Sequence, residues 1–279
     1  CLVFTDEIRS LHQNLADISD GNGFLLHGGD CAESFSEFNA DNIKNTFKVI
    51  LQMAIILTAG IKVPITKIGR IAGQFAKPRT NPTETINGIE LPSYRGDIIN
   101  DISFDQKLRE PDPSRMLKAY LQSVSTLELL RAFSDRGYSD LKHLQSWNME
   151  FVKNRKQEER YRHLTNQIKD SLKFMETLGL MSNDKSQIKR VEYFISHEAL
   201  LLPYEEALTR LDSNNGKTYN TAAHFVWIGD RTRFIESAHV EYCRGINNPI
   251  GIKCGPTLNP DELIKLIDIL NPNNISGRI

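Results

Sequence analysis

The chain passes from an apolar run into a basic loop at Val63-Pro-Ile-Thr-Lys-Ile-Gly-Arg70-Ile-Ala-Gly-Gln-Phe-Ala-Lys77-Pro-Arg79-Thr80. The apolar part predicts a buried strand, and the loop after it carries Arg70, Lys77 and Arg79. Clustered cations repel one another unless an anion neutralises them, and guanidinium forks suit phosphate and carboxylate oxygens. The pattern fits either a site for a phosphorylated, acidic small molecule or a solvated basic loop without a ligand.

The same order of strand, polar loop and helix recurs along the chain. Four further apolar runs end in polar residues: Phe24–His27, Arg190–Ile195, Ala223–Ile228 and Pro249–Ile252. Helices are predicted from Asp41 to Thr58, ended by Gly60, and from Pro260, where Asn259 and Glu262 would form a capping box. Polar residues that follow short buried strands are typical of a parallel sheet with its site at the carboxyl ends. The repeat predicts an α/β fold, either a (β/α) barrel or an open doubly wound sheet.

Two further segments flank or interrupt this repeat. Residues 1–22 are predicted to form a helical lead-in, and residues from about 100 to 185 show a helical, polar pattern, which is too much helix for one crossover. We interpret the longer segment as an insertion after the second strand, serving subunit contacts, regulation or simple bulk. Its first helix would start at Asp112-Pro113 and bury Leu117, Leu121, Val124 and Leu127. The inward residues further on would be Trp147, Phe151, Tyr161, Ile168, Leu172 and Met175.

Composition narrows the class of protein. The 279 residues are 40% hydrophobic and 25% charged with a net charge of −1, which disfavours a general nucleic-acid-binding surface. The most apolar stretch, Val49 to Ile61, is too short to span a bilayer. The four cysteines contain no CxxC pair, which favours a reducing compartment. No GxGxxG, GxxxxGK[ST] or HExxH motif is present, so nucleotide cofactors and a zinc-protease site are disfavoured.

The candidate site residues follow the predicted strands. A parallel sheet would bring them to one rim: Cys31, Arg70, Glu198, Asp230, Arg231 and Lys253. Cys31 comes after the Gly28-Gly29 turn, where a thiolate could be a metal ligand or a nucleophile. From the residues alone, an inert buried cysteine remains the alternative.

Six motifs in chain order resemble those of the class II 3-deoxy-D-arabino-heptulosonate 7-phosphate (DAHP) synthases. They are Gly28-Gly-Asp-Cys-Ala-Glu-Ser-Phe35, Arg70-Ile-Ala-Gly-Gln-Phe-Ala-Lys-Pro-Arg79, Leu91-Pro-Ser-Tyr-Arg-Gly-Asp97, Ser196-His-Glu-Ala-Leu200, Trp227-Ile-Gly-Asp-Arg-Thr-Arg233 and Gly251-Ile-Lys-Cys-Gly-Pro256. The resemblance implies a (β/α)8 TIM barrel, of which this chain holds about the first five strands. It also implies a transferase that opens the shikimate pathway to chorismate and the aromatic amino acids. Such an enzyme condenses phosphoenolpyruvate with erythrose 4-phosphate and water, releases phosphate and uses a divalent metal, here manganese, cobalt or zinc.

The resemblance assigns a role to each candidate residue. Cys31 becomes a metal ligand, and Lys253 and Glu198 become catalytic groups. The phosphoenolpyruvate site would comprise Arg70, Asp230, Arg231 and Lys253, with Asp230 standing where the family more often has Glu. Erythrose 4-phosphate would contact Lys77, Arg79 and Thr80.

The resemblance also sets expectations about the whole protein. It implies a homo-oligomer when full length, aromatic amino acids as effectors, no nucleic-acid or membrane partner, and a cytoplasmic location, or a plastid one in a plant. The other metal ligands would lie beyond Ile279, so the chain is expected to be an internal piece of a longer enzyme, inactive and poorly folded alone. Two alternatives stay open: a non-catalytic anion-binding barrel, and a variant that condenses an aminated sugar to aminoDAHP.

Overall fold

The computed structural model describes residues 1–141, 158–177 and 191–279. The elements in chain order are α1 (Thr5–Ser19), β1 (Phe24–Gly29), α2 (Ala40–Ile61), β2 (Ile65–Arg70), β3 (Thr83–Ile86), β4 (Ile89–Pro92), α3 (Ser114–Leu141), α4 (Glu158–Thr177), β5 (Phe194–Glu198), α5 (Leu202–Ala207), β6 (Thr209–Asp212), β7 (Lys217–Asn220), β8 (Phe225–Ile228), α6 (Ala238–Gly245), β9 (Ile250–Ile252) and α7 (Pro260–Leu270). No helix within the described ranges is long and apolar enough to cross a membrane.

Five strands form one parallel sheet in the order β1-β2-β5-β8-β9. The sheet curls into a half-barrel, and its strands follow one another in chain order. A doubly wound sheet reverses its strand order at a switch point, and these five strands show no reversal. The predicted parallel α/β sheet is therefore confirmed, with strand boundaries that shift by up to four residues.

Two antiparallel hairpins, β3–β4 and β6–β7, lie outside this sheet and were not predicted. The first turns at Asn87-Gly88, whose φ angles of 51° and 80° are left-handed, as hairpin turns require. The second contains Gly216 at φ 66°. An Asn-Gly pair occurs at both turns, and this signal could have identified the hairpins from the sequence.

The two faces of the sheet are buried differently because successive strand residues point to opposite sides. Ile68, Phe194, Phe225 and Trp227 share one face and form a buried cluster with Leu11 of α1. The other face, which includes Ile195, Val226 and Ile250, belongs to the larger core shared with the helices. We call the face that carries Ile68 and Trp227 the inner face. Leu11 of α1 packs against it.

Helix α1 covers the amino ends of the strands. Ser10 and Asn14 donate to the Glu192 carboxylate just before β5, at 3.0 and 3.1 Å. Glu7 lies 3.3 Å from Nε2 of His224, one residue before β8. The predicted lead-in is therefore helical, and it leaves the carboxyl ends of the strands open.

Helix α2 begins as predicted and ends later than predicted. Asn39 caps it by accepting the N–H of Asn42 at 2.9 Å. The helix runs through Gly60 to Ile61 and stops where Lys62 turns left-handed at φ 58°. The prediction that Gly60 ends the helix is wrong, because Lys62 takes the left-handed capping conformation in its place.

Helix α3 corrects the predicted buried face. Asp112 accepts the Ser114 N–H at 2.9 Å, so the helix start is confirmed to within one residue. Leu117 and Leu121 are 63% and 55% exposed, whereas Leu127 is buried as predicted. The buried side also carries Ala119, Ser123, Thr126 and Leu130. Small side chains let two helices approach closely, and α3 shares the larger core with α2 through this buried side, whereas Leu117 and Leu121 remain exposed.

The remaining helix predictions have mixed outcomes. Asn259 caps α7 by accepting the Asp261 N–H at 2.8 Å, as predicted. Glu262 forms no capping box, since its carboxylate instead pairs with Arg233 at 3.0 Å. Tyr161 and Ile168 of α4 are half-buried, and the predictions for Trp147, Phe151 and the Leu172 and Met175 side chains fall outside the described residues.

Candidate active site

Register places the predicted site residues on one rim of the sheet. Arg70, the last residue of β2, pairs with Gly29 in β1 and with Ser196 in β5. Glu198 at the end of β5 pairs with Trp227 in β8. The structure therefore brings to the carboxyl rim the predicted set Cys31, Arg70, Glu198, Asp230, Arg231 and Lys253.

The Arg70 guanidinium is oriented by two contacts. Its Nη2 donates to the carbonyl oxygen of Cys31 at 3.2 Å, and its Cζ lies 4.7 Å from the centre of the Trp227 ring. Gly29 lets the Arg70 backbone lie close to β1, because a Cβ at Gly29 would be 2.7 Å from the Arg70 carbonyl oxygen. The buried Nε of Arg70 finds no acceptor among the described residues. This donor is available to a bound anion.

Glu198 lies among the cations of the rim. It is 5% exposed, and its Oε1 has no hydrogen-bond partner in the described part of the chain. Burial raises the pKa of Glu198, while the charges of Lys253 and Arg70 and, more weakly, of His239 and Arg231 oppose the rise. Arg70 ends β2, and Arg231 and Lys253 follow β8 and β9, so this carboxyl group shares the rim with cations from three strands. Any side chain at position 229 would overlap Glu198, which explains the glycine there.

The neighbouring His197 points to the opposite face of the sheet. Its Nε2 lies 2.9 Å from a Glu205 carboxylate oxygen, and it is 1% exposed. The Glu205 carboxylate raises the pKa of His197 against the lowering effect of burial. His197 therefore supports the fold from the helix side, although it is adjacent to Glu198 in the sequence.

Glu33 holds the basic loop in place. Its carboxylate accepts the N–H groups of Ala72, Gly73 and Gln74 at 3.0, 2.8 and 2.7 Å. The Gln74 side chain then accepts the N–H of Glu198 at 2.9 Å. Burial raises the pKa of Glu33, and the three amide hydrogen bonds oppose the rise. No signal in the sequence pairs Glu33 with this loop, and sequence reasoning missed its function.

The residues predicted to contact erythrose 4-phosphate, Lys77, Arg79 and Thr80, lie at the end of the basic loop. Thr80 accepts a hydrogen bond from Arg231 Nε at 3.0 Å, which brings it to the rim. Arg79 Nε donates to the Tyr94 carbonyl at 2.7 Å, and the Lys77 N–H donates to the Arg95 carbonyl at 2.8 Å. Of the three residues, Thr80 is the one that a hydrogen bond joins directly to a rim cation.

Asp230 is already partnered by a cation of its own loop. Arg233 Nε donates to Asp230 at 3.1 Å, and the same guanidinium pairs with Glu262 of α7. A Cβ at Gly255 would overlap the Asp230 carboxylate, so this carboxylate packs against the loop that follows β9. Asp230 thus connects the β8 and β9 loops beside Arg231.

Cys31 is an exposed thiol on the rim, whereas Cys243 is buried, and burial raises the pKa of Cys243 to about 12. A thiolate is a good ligand for a borderline divalent ion. Within residues 1–141, 158–177 and 191–279, however, no three His, Cys, Asp or Glu side chains cluster as a metal site would require. The described residues thus offer one candidate ligand and not a complete metal centre.

Comparison with known proteins places the chain in a family. A model of the class-II DAHP synthetase family matches residues 1–279. The chain is 47% identical over 278 residues to a phospho-2-dehydro-3-deoxyheptonate aldolase of Streptomyces coelicolor, a match that covers 100% of the chain and 61% of that protein. It is 44% identical over 292 residues to the Neurospora crassa protein of that name, covering 100% of the chain and 60% of that protein. For the Mycolicibacterium smegmatis protein the identity is 41% over 278 residues, covering 98% and 59%.

The chain thus spans about 60% of the length of the curated relatives that it matches. Within that span the match includes every strand of the sheet and every rim residue described above. The chain belongs to the class-II DAHP synthetase family.

Proposed function

We propose that the protein containing this chain is a DAHP synthase, which condenses phosphoenolpyruvate with erythrose 4-phosphate and water and releases phosphate. The observation that carries the proposal is the placement of Arg70, Arg231 and Lys253 at the carboxyl ends of three strands of one parallel sheet, on the rim that also holds Glu198. Both substrates are phosphorylated and one also bears a carboxylate, so the cleft must offset several negative charges. The relatives named as phospho-2-dehydro-3-deoxyheptonate aldolases support the same reaction.

The rim residues have separate roles in this proposal. Arg70 offers its unpartnered Nε to phosphoenolpyruvate, and Arg231 and Lys253 neutralise the remaining anionic oxygens. The methylene carbon of phosphoenolpyruvate attacks the aldehyde carbon, water adds at the enol carbon, and phosphate leaves. Lys253 is suited to share a proton with an anionic oxygen, and the free Oε1 of Glu198 is suited to orient the water.

The cofactor and the partners form a second part of the proposal. The family generally uses a divalent metal, and we assign Cys31 as one ligand, with manganese, cobalt or zinc as the ion. Among the described residues, no group of three His, Cys, Asp or Glu side chains completes this metal site. We place Lys77, Arg79 and Thr80 near erythrose 4-phosphate, supported by the contact between Thr80 and Arg231.

The architecture of the whole protein is proposed on the same basis. The curled five-stranded sheet supports a (β/α)8 barrel with an N-terminal lead-in. Helices α3 and α4, which come between β2 and β5, support a helical insertion at about residues 100–185. A cytoplasmic homo-oligomer with aromatic amino acids as effectors completes the proposal.

The test is a phosphate-release assay of the protein containing this chain, with phosphoenolpyruvate, erythrose 4-phosphate and added manganese. Turnover that needs both substrates is expected. A parallel reaction with the aminated sugar phosphate separates the DAHP product from aminoDAHP. Binding of phosphoenolpyruvate without turnover under any metal would contradict the proposal and favour a non-catalytic anion-binding barrel.

A further inference from the structure

His27 lies on the inner face of the sheet, one step below the rim. It pairs in register with Ile68, two residues before Arg70, and its ring reaches across β2 to β5. There its Nε2 lies 2.8 Å from Oγ of Ser196. The Ser196 hydroxyl in turn donates to the Gly69 carbonyl at 3.0 Å. Because the single hydroxyl proton goes to Gly69, His27 must donate its Nε2–H to Ser196.

The ring of His27 also contacts Trp227, the aromatic residue against which the Arg70 guanidinium packs. It meets the Trp227 ring edge-on, with centroids 5.7 Å apart and an interplanar angle of 69°. A second edge contact, at 5.4 Å and 78°, joins it to Phe225. The Trp227 ring holds the Arg70 guanidinium 4.7 Å from its centroid. His27, Trp227 and Arg70 are therefore connected side chain to side chain.

This arrangement suits a neutral imidazole, because a charged ring would repel the Arg70 guanidinium nearby. Partial desolvation of the ring and, to a smaller extent, the charge of Arg70 lower the pKa of His27 to about 4, while part of the side chain stays exposed. At neutral pH the ring adds no positive charge beside Arg70, so it supports the guanidinium without repelling it. A neutral ring also keeps the Nε2–H donor and leaves Nδ1 without a proton.

We propose that His27 is a positioning residue for phosphoenolpyruvate binding. Its hydrogen bond to Ser196 locks the imidazole against Trp227, and Trp227 then fixes the Arg70 guanidinium, whose Nε faces the ligand. The inference rests on the proposed function, since it names the residue that orients the anion-binding arginine. It concerns phosphoenolpyruvate because Arg70 is assigned to that substrate, whereas Lys77, Arg79 and Thr80 are assigned to erythrose 4-phosphate.

Steady-state kinetics of the protein containing this chain test the proposal with three variants. His27→Leu removes the donor and should raise the KM for phosphoenolpyruvate about tenfold while the KM for erythrose 4-phosphate stays within about twofold. His27→Gln keeps an amide donor and should restore most of the loss. Ser196→Ala removes the acceptor and leaves His27 in place, so it should raise the same KM in the same direction even if His27→Leu does not fold.

The matched control is His163→Leu, which changes an exposed histidine of α4 and should alter neither KM. Equal KM values for phosphoenolpyruvate in the wild type, His27→Leu and Ser196→Ala would overturn the proposal. A rise in both KM values that His27→Gln does not rescue would also overturn it, because that pattern indicates general loss of structure. A wild-type protein that neither binds nor turns over phosphoenolpyruvate would instead overturn the proposed function. The wild type is therefore measured before the variants.

Discussion

Cys31 and Cys254 are both exposed thiols that follow a strand of the sheet, Cys31 after β1 and Cys254 after β9. Only Cys31 is proposed as a metal ligand, and the pair therefore offers a matched comparison. We expect Cys31→Ser to lower both bound divalent metal and activity about 100-fold or more, because a hydroxyl is a poor substitute for a thiolate ligand. Metal analysis and the phosphate assay measure this. Cys254→Ser should behave as wild type, and normal metal content in Cys31→Ser would refute the assignment.

Lys253 acts on Glu198 through its charge. The ammonium group opposes the rise that burial causes in the pKa of Glu198. Removing the charge in Lys253→Met should therefore raise that pKa further and move the acidic limb of the pH–rate profile to higher pH. We also expect kcat/KM to fall about 100-fold or more, because the proposed role of this charge is to stabilise the transition state. Lys265→Met in α7 is the control, since Lys265 is exposed. An unchanged acidic limb in Lys253→Met would show that the two groups are not coupled.

The basic loop between β2 and β3 keeps its shape through a carboxylate. Ala72 is left-handed at φ 64°, a conformation that disfavours residues other than glycine, and Glu33 accepts its N–H and those of the next two residues. In Glu33→Gln an NH2 group would replace one carboxylate oxygen, so a donor would face the backbone N–H donors of the loop. We expect the free energy of unfolding to fall by about 2 kcal/mol and the KM for phosphoenolpyruvate to rise. Urea unfolding and kinetics measure the two effects. Glu37→Gln, at an exposed carboxyl group nearby, should change neither, and a fully stable Glu33→Gln protein would contradict the loop-holding role.

Helix α1 is joined to the amino ends of the sheet by a histidine whose neutral form the fold favours. His224 Nδ1 accepts the Ile195 N–H at 2.9 Å, its Nε2 faces Glu7, and Arg131 pairs with Glu7 at 3.0 Å. Burial lowers the pKa of His224 below 6.5. Because its pKa is lower in the folded than in the unfolded chain, His224 binds fewer protons when folded. Its contribution to stability is therefore present above pH 6.5 and is lost as the pH falls toward the pKa of the folded state.

We therefore expect the free energy of unfolding to decrease as the pH falls from 7.5 to about 5, and to decrease less in His224→Gln. Below that range Glu7 adds a further loss. Burial would raise its pKa, but hydrogen bonds from His224 and the Phe4 N–H and the charge of Arg131 lower it from 4.5 to about 2. Urea titrations of both proteins at several pH values measure the difference. Parallel pH dependences would show that His224 does not control the attachment of α1.

Most of the architecture could be predicted because its signals are local. Five apolar runs predicted five strands, and the polar residues after each run predicted the rim that the register now shows. Boundaries were less accurate, as at Gly60, since a helix end depends on which residue can adopt the left-handed cap. The α3 prediction failed for Leu117 and Leu121 because apolar residues occur on two sides of that helix, and spacing cannot tell which side meets α2.

The order of the motifs was sufficient to assign the family, the parallel sheet and the identities of the rim residues, because each follows from residues close together in the chain. The folded chain alone decides how those residues are oriented. Glu33 holds a loop 39 to 41 positions away, and His27 reaches Ser196 across 169 positions. Such contacts have no sequence periodicity, since they arise only when strands that are distant in the chain lie side by side. The same geometry sends Glu198 to the site and its neighbour His197 to the helices, because adjacent residues of a strand point to opposite faces.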